Sequence, residues 1–120
     1  MPTRSLRSPV LRWPDAATVD TAARTWAAAQ IVDHPNVDRI GYFGSYARGD
    51  WGVGSDLDLV VVVDATTEPF ERRGLAFETM SLPVPVDVVV YTVTEWQQLR
   101  QQPGFGQNVA SEVAWVYQRR

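Results

Sequence analysis

Two aspartates before an apolar run are the residues of this chain best suited to chemistry. Asp56 and Asp58 precede the run from Leu59 to Val63, and in an extended strand their side chains point to the same face. Two carboxylates roughly 6 to 7 Å apart repel each other by roughly 2.5 kcal/mol at an effective dielectric constant of about 20. A divalent cation offsets this repulsion, and a site made of carboxylate oxygens favours Mg²⁺ or Mn²⁺. The pair therefore predicts a metal site.

A Gly-Ser turn and a glycine-rich loop connect the aspartates to a preceding strand. The strand predicted over residues 37–43 ends at Gly44 and Ser45, a short helix or turn runs through Arg48, and residues 49–55 contain three glycines. Backbone N–H groups at the start of a helical turn bind anions, and the Ser45 hydroxyl can add a further donor. The Arg48 guanidinium can donate two parallel hydrogen bonds to phosphate oxygens. This arrangement predicts a phosphate site beside the metal site.

A third carboxylate lies in the next predicted strand, residues 86–91. Asp87 shares a face of that strand with Val89 and Tyr91. An unpaired aspartate in a valine-rich strand is costly to bury. Asp87 is therefore predicted to complete a second metal site.

The elements that must position these residues are predicted from hydrophobic periodicity and turn residues. An Ala-rich helix spans residues 15–33, and the strand over residues 56–64 is central and buried on both faces. Their order predicts an α/β (α+β) fold, with a small mixed β-sheet flanked by helices. The later predicted elements are a helix over 68–80 with Phe70, Phe77 and Met80 inward, a helix from a capping box at Thr94 to Gln101, a helical turn over 107–111 and an edge strand over 113–117.

Length and composition limit the classes of protein. The 120 residues predict a flexible leader over residues 1–9 and a single domain over 10–120. A net charge of −3 disfavours stable nucleic-acid binding, and no apolar segment is long enough for a membrane span or a signal peptide. There are no cysteines, and all eleven basic residues are arginine. We expect a cytoplasmic protein whose cationic ligands are arginines.

The motif as a whole resembles a known superfamily. Gly44-Ser45, ten further residues, Asp56-Leu57-Asp58 and a third aspartate in the next strand resemble the polymerase β-like nucleotidyltransferases. The sequence Gly-Ser-Tyr-Ala-Arg-Gly, together with Ser55 before the aspartates, resembles the minimal nucleotidyltransferase (MNT) branch of that superfamily. The resemblance implies the nucleotidyltransferase fold.

The resemblance also implies roles for individual residues. Asp56, Asp58 and Asp87 would be catalytic and would hold two Mg²⁺ ions, with Mn²⁺ as a possible substitute. Asp87 would also help to deprotonate the acceptor hydroxyl. The nucleotide would be bound by Gly44, Ser45, Arg48 and Ser55.

An enzyme of this kind transfers a nucleoside monophosphate, here expected to be AMP from ATP, to a hydroxyl. Small MNT proteins are commonly antitoxins paired with a HEPN ribonuclease toxin, and some adenylylate a tyrosine on it. The resemblance therefore implies a type VII-like toxin–antitoxin role. This chain lacks the Arg-x4-6-His motif of the ribonuclease, so the HEPN toxin would be another chain.

Two other functions are compatible with the sequence. The chain could neutralise its partner by occlusion alone, using the first helix or residues 105–117, or it could adenylylate a small molecule such as an aminoglycoside. The residues leave open which nucleoside triphosphate and which acceptor are used. Each candidate also has a structural interpretation: Ser45 as a turn former, the Asp56 and Asp58 pair as caps, Asp87 as a strand-edge charge and Arg48 as an ion-pair partner.

Overall fold

Four strands form one mixed sheet in the order β3-β2-β1-β4. The computed structural model describes residues 13–120, apart from the side chain of Phe105, and the predicted leader over residues 1–9 lies outside this range. β2 pairs in parallel with β3 and antiparallel with β1, and β4 pairs antiparallel with the other edge of β1. The strands are β1 (Val37–Phe43), β2 (Leu57–Val63), β3 (Val86–Thr92) and β4 (Ala114–Gln118).

Within residues 13–120, five helices flank the sheet, which confirms the predicted α/β fold class. The N-cap of the first helix is Asp15, whose carboxylate accepts a hydrogen bond from the Thr18 N–H at 2.8 Å. Among the described residues, every helix is too short or too polar to span a bilayer. The helices are α1 (Ala16–Asp33), α2 (Ser45–Arg48), α3 (Phe70–Arg73), α4 (Val93–Gln101) and α5 (Phe105–Glu112).

The capping box was predicted at the wrong residue. In the structure Thr92 is the N-cap of α4, and its hydroxyl accepts from the Glu95 N–H while the Glu95 carboxylate accepts from the Thr92 N–H. Thr92, like Thr94, is a threonine near the end of a strand, but only Thr92 has a glutamate at the third helical position.

Both faces of β2 are buried, as the valine run predicts. One face belongs to the same apolar cluster as Val19 and Trp26 of α1. On the opposite face, Val60 and Val62 pack around Trp96 of α4. Burying one valine or leucine side chain stabilises a fold by about 1.5 to 3 kcal/mol. The many buried side chains of β2 therefore hold this strand firmly, and it supports the aspartates at its start.

The helix predicted over residues 68–80 is wrong in length and in the residues it buries. α3 is a single turn that continues as a 3-10 turn over Gly74–Ala76, and only Phe77 of the three predicted inward residues is buried. Phe70 is 45% exposed and Met80 is 93% exposed. Gly74 lies so close to the Val88 carbonyl that a Cβ would come within 2.9 Å of its oxygen. Glycine is a weak helix former, and this contact leaves no room for a side chain. The α-helix therefore ends before Gly74.

Candidate active site

The Gly44-Ser45 turn has a backbone conformation that requires glycine. Gly44 has a φ of 80°, and a Cβ at this position would collide with the Asp58 carboxylate. The Gly44 carbonyl accepts from the N–H groups of Ala47 and Arg48 at 3.1 and 3.0 Å, which begins α2. The turn thereby brings the chain directly against the first carboxylate of β2.

A cavity of about 470 Å³ opens between this turn, the start of β2 and α5. It contains most of the residues that the sequence selects, from both the predicted phosphate site and the predicted metal site. Residues with cationic and hydroxyl groups thus line the same cavity as carboxylates, and phosphate and metal binding require both kinds of group. The lining residues are Phe43, Gly44, Ser45, Arg48, Asp56, Asp58, Asn108, Val109 and Glu112.

Asp58 is the carboxylate in the most crowded position. It pairs with Phe43 on β1 and with Asp87 on β3, and it is half-buried. Burial raises the pKa of Asp58, and the negative charges of Asp87 and Asp56 raise it further. Asp56 is exposed and lies just before β2, which begins at Leu57. Asp58 is therefore close enough to both Asp56 and Asp87 to be repelled by each.

Asp87 lies beside Asp58 but outside the cavity. It lines a neighbouring depression of about 370 Å³ together with Phe70, Gly74 and Phe77. β3 is an edge strand and Asp87 is exposed, so the burial cost expected from the sequence does not apply to this residue. Its position opposite Asp58 is what associates it with the site.

Ser55 does not line the cavity, because its polar groups close the glycine-rich loop. Its hydroxyl accepts from the Gly52 N–H at 2.8 Å, and its own N–H donates to the Gly52 carbonyl at 3.0 Å. In the same loop, Trp51 stacks on Tyr46 of α2 with ring centroids 5.6 Å apart. These contacts give the loop a defined path from α2 to Asp56.

Comparison with known proteins identifies the family. The family model described as "Nucleotidyltransferase domain" matches residues 27–111. The chain belongs to this nucleotidyltransferase domain family. The matched range contains the turn, the loop, β2, β3 and most of α5.

Two solved structures share the nucleotidyltransferase fold. A protein from Sulfolobus solfataricus, provisionally assigned as a nucleotidyltransferase, has 20% sequence identity and a TM-score of 0.64 over 87% of this chain and 84% of its own. A toxin–antitoxin structure with AMP-PNP has 21% identity and a TM-score of 0.51 over 81% of this chain and 74% of its own. No curated protein sequence is significantly similar to this chain.

The sequence analysis did not select Glu112, which lines the cavity from the end of α5. Its Oε2 accepts from the Gly44 N–H at 2.6 Å, and its Oε1 lies 3.4 Å from the Nη1 of Arg48. The Gly44 N–H is therefore engaged by a carboxylate. The signal for Glu112 is the pairing of the late strand with β1. Ala114 pairs with Tyr42, so the residues just before Ala114 lie beside the turn that follows β1.

The carboxylates suit a metal by donor chemistry. Within residues 13–120, no three His, Cys, Asp or Glu side chains are gathered closely enough to hold an ion between them. However, Asp56, Asp58 and Asp87 supply only oxygen ligands, and the raised pKa of Asp58 reflects a local excess of negative charge as well as burial. Oxygen ligands and uncompensated negative charge are the features that a hard divalent cation requires.

Proposed function

We propose that this protein is a metal-dependent nucleotidyltransferase that moves a nucleoside monophosphate, AMP from ATP, to a hydroxyl group on a partner protein. The observation that carries the proposal is the single cavity lined by Ser45 and Arg48 together with Asp56 and Asp58. Membership of the nucleotidyltransferase domain family supports the same reaction class.

The phosphate end of the nucleotide is assigned to the turn. Ser45 and Arg48 both line the cavity, and in the proposed complex the Ser45 hydroxyl and the Arg48 guanidinium donate to the β- and γ-phosphate oxygens. The loop closed by Ser55 leads directly to Asp56, which also lines the cavity. The chain thus holds the triphosphate tail and leaves the α-phosphorus near the carboxylates.

The three aspartates would hold two Mg²⁺ ions, or Mn²⁺ in their place. When bound, the ions stabilise charge on the attacking and leaving oxygens of an in-line displacement. An oxygen of Asp87, on the exposed side of the site, accepts the proton of the acceptor hydroxyl. The acceptor oxygen forms a bond to the α-phosphorus, the bond to the β-phosphate oxygen breaks, and pyrophosphate leaves.

The partner is proposed to be a HEPN ribonuclease toxin, with this chain as its MNT antitoxin in the cytoplasm. A structure with the same fold, at 21% identity, is a toxin–antitoxin complex with AMP-PNP, and this supports both a protein partner and ATP as the donor. The exposed position of Asp87 on an edge strand supports an acceptor as large as a protein side chain.

The test is transfer of AMP to a co-expressed candidate toxin. The purified pair is incubated with α-labelled ATP and Mg²⁺, and mass spectrometry locates an added AMP on the toxin. Asp56→Asn should abolish labelling while the two proteins still co-purify. Asp33→Asn, at an exposed aspartate at the end of α1, is the matched control and should label normally.

The outcomes distinguish the proposed function from its alternatives. Labelling that survives Asp56→Asn contradicts the metal-ligand assignment. Neutralisation of the toxin without any labelling would favour occlusion, and labelling of an added aminoglycoside but of no protein would favour a small-molecule adenylyltransferase.

A further inference from the structure

We propose that Glu112 is a positioning residue that holds the Gly44-Ser45 turn and Arg48 in their phosphate-binding arrangement. This inference rests on the proposed nucleotidyltransferase function. It assigns a role in the site to α5, an element outside the Gly-Ser and aspartate motif.

Glu112 contacts two parts of the site with its two carboxylate oxygens. One accepts the Gly44 N–H at 2.6 Å and the other lies 3.4 Å from the Nη1 of Arg48. The side chain is 21% exposed and lines the cavity. Because hydrogen bonds to an ionised acceptor are shorter and about twice as strong as neutral ones, the contact with Gly44 is a firm anchor.

The N–H of Gly44 needs an anchor because no side chain of α2 caps it. α2 has four residues and no side-chain hydrogen bond at its N-cap, Gly44. A helix of this length is unstable by itself, and glycine at a positive φ is conformationally free in the unfolded chain. The Glu112 carboxylate fixes the N–H of this glycine, and Ser45 follows directly. The anchor therefore sets the direction in which the Ser45 N–H and hydroxyl point.

Arg48 benefits from the same carboxylate. Its guanidinium is half-exposed and lies between Asp50, at 3.1 Å, and Glu112. Ordering a free arginine side chain costs conformational entropy, because rotamers are lost. An arginine that is already held at the cavity wall loses less entropy when it binds a phosphate. Glu112 thus prepares both phosphate-binding groups before the nucleotide arrives.

Two substitutions separate these contacts. Glu112→Gln keeps a side-chain oxygen for the Gly44 N–H but removes the charge beside Arg48, whereas Glu112→Ala removes both contacts. Glu68→Gln is the matched control, because Glu68 is an exposed glutamate whose carboxylate makes only a long ion pair, 3.9 Å from the Nε of Arg72.

The first measurement needs no nucleotide. Hydrogen exchange of the Gly44 amide, followed by NMR, should be about tenfold or more faster in Glu112→Ala than in wild type. In Glu112→Gln, whose neutral oxygen accepts a weaker hydrogen bond, the rate should lie between the two. Thermal unfolding of each variant verifies that the fold is intact. An unchanged Gly44 amide in Glu112→Ala would overturn the proposal.

The second measurement compares Mg-ATP with AMP by calorimetry. If Glu112 positions the phosphate groups, Glu112→Ala should weaken ATP binding by about tenfold and AMP binding by less than about twofold. Tighter ATP binding in the variants would mean that Glu112 competes with the triphosphate, and parallel losses for ATP and AMP would mean a general structural role. Either result overturns the proposal. A wild-type chain that binds no ATP would instead refute the proposed function, whatever the amide shows.

Discussion

Asp58 on β2 lies directly opposite Asp87 on the parallel strand β3. Neighbouring strands are about 4.8 Å apart, so two carboxylates share one face of the sheet at nearly the closest spacing that a sheet permits. Like charges in such positions destabilise a fold. The pair therefore carries a local electrostatic cost, which the proposed divalent cation would offset.

Replacing Asp58 by asparagine should raise the stability of the metal-free protein while abolishing its activity. Loss of one negative charge relieves the repulsion from Asp56 and Asp87, and we expect a gain on the order of 1 kcal/mol in the free energy of unfolding. Thermal unfolding in EDTA and then in Mg²⁺ checks this, since Mg²⁺ should stabilise the wild type more than the variant. A variant that is less stable than wild type in EDTA would contradict the repulsion argument.

Gly44→Ala should be far more damaging than alanine at two other glycines. Gly44 combines a positive φ with a collision against Asp58, Gly49 has the positive φ but open space, and Gly52 has neither constraint. We expect Gly52→Ala to be near neutral, Gly49→Ala to cost about 1 kcal/mol and Gly44→Ala to cost more than about 2 kcal/mol. Urea unfolding ranks the three variants. Equal losses at Gly44 and Gly49 would show that the contact with Asp58 is unimportant.

Trp51→Ala should weaken the site through the loop. The ring of Trp51 stacks on Tyr46 of α2 and its loop leads to Asp56. Aromatic pairs contribute about 0.5 to 1.5 kcal/mol beyond the apolar area they bury, so loss of the stack frees the loop. We expect a several-fold higher KM for ATP in Trp51→Ala and near-normal kinetics in Trp51→Phe, which keeps an aromatic ring. Steady-state kinetics measures the KM of both variants. An equal rise in KM for Trp51→Phe and Trp51→Ala would show that the indole itself is required, and would contradict the stacking argument.

Arg73→Met should destabilise the edge of the sheet, whereas Arg72→Met should not. The Arg73 side chain is 11% exposed, donates to the Val90 carbonyl at 3.1 Å and pairs with Glu95 at 2.7 Å. Without Arg73, the Val90 carbonyl of the edge strand and the Glu95 carboxylate lose this donor. We expect the free energy of unfolding to fall by about 2 to 3 kcal/mol. Arg72 is 65% exposed and has only a 3.9 Å ion pair. Chemical unfolding and light scattering would measure stability and aggregation in both variants.

Ionisation of Tyr42 should lower the stability of the folded protein at high pH. Burial, followed by the hydrogen bond to Asp20, raises the pKa of Tyr42 to about 12 from 10.0 in the unfolded chain. The folded state therefore holds this proton more tightly, and the stability that results is complete below pH 10 and is lost as the pH rises through about 12. Urea unfolding across this range should show a shallower decline for Tyr42→Phe than for wild type. Parallel declines would contradict the assignment.

Local patterns in the sequence were sufficient for β1, β2 and the residues from Gly44 to Asp58. Apolar runs and glycine spacing determine that part of the fold through contacts close in sequence. Two other parts depend on contacts that are distant along the chain. The end of α3 depends on Gly74 meeting the Val88 carbonyl, and the place of Glu112 in the cavity depends on β4 pairing with β1. Neither contact produces a periodicity in the sequence.

The position of β4 beside β1 has a consequence for synthesis on the ribosome. β1 is made early, but its second edge and its turn remain uncovered until α5 and β4 have been translated. During that interval a nascent chain exposes an unpaired strand, a form that invites aggregation and chaperone binding. We therefore expect the nucleotide cavity to be among the last features to mature, and a translational pause before residue 105 to lengthen the vulnerable period.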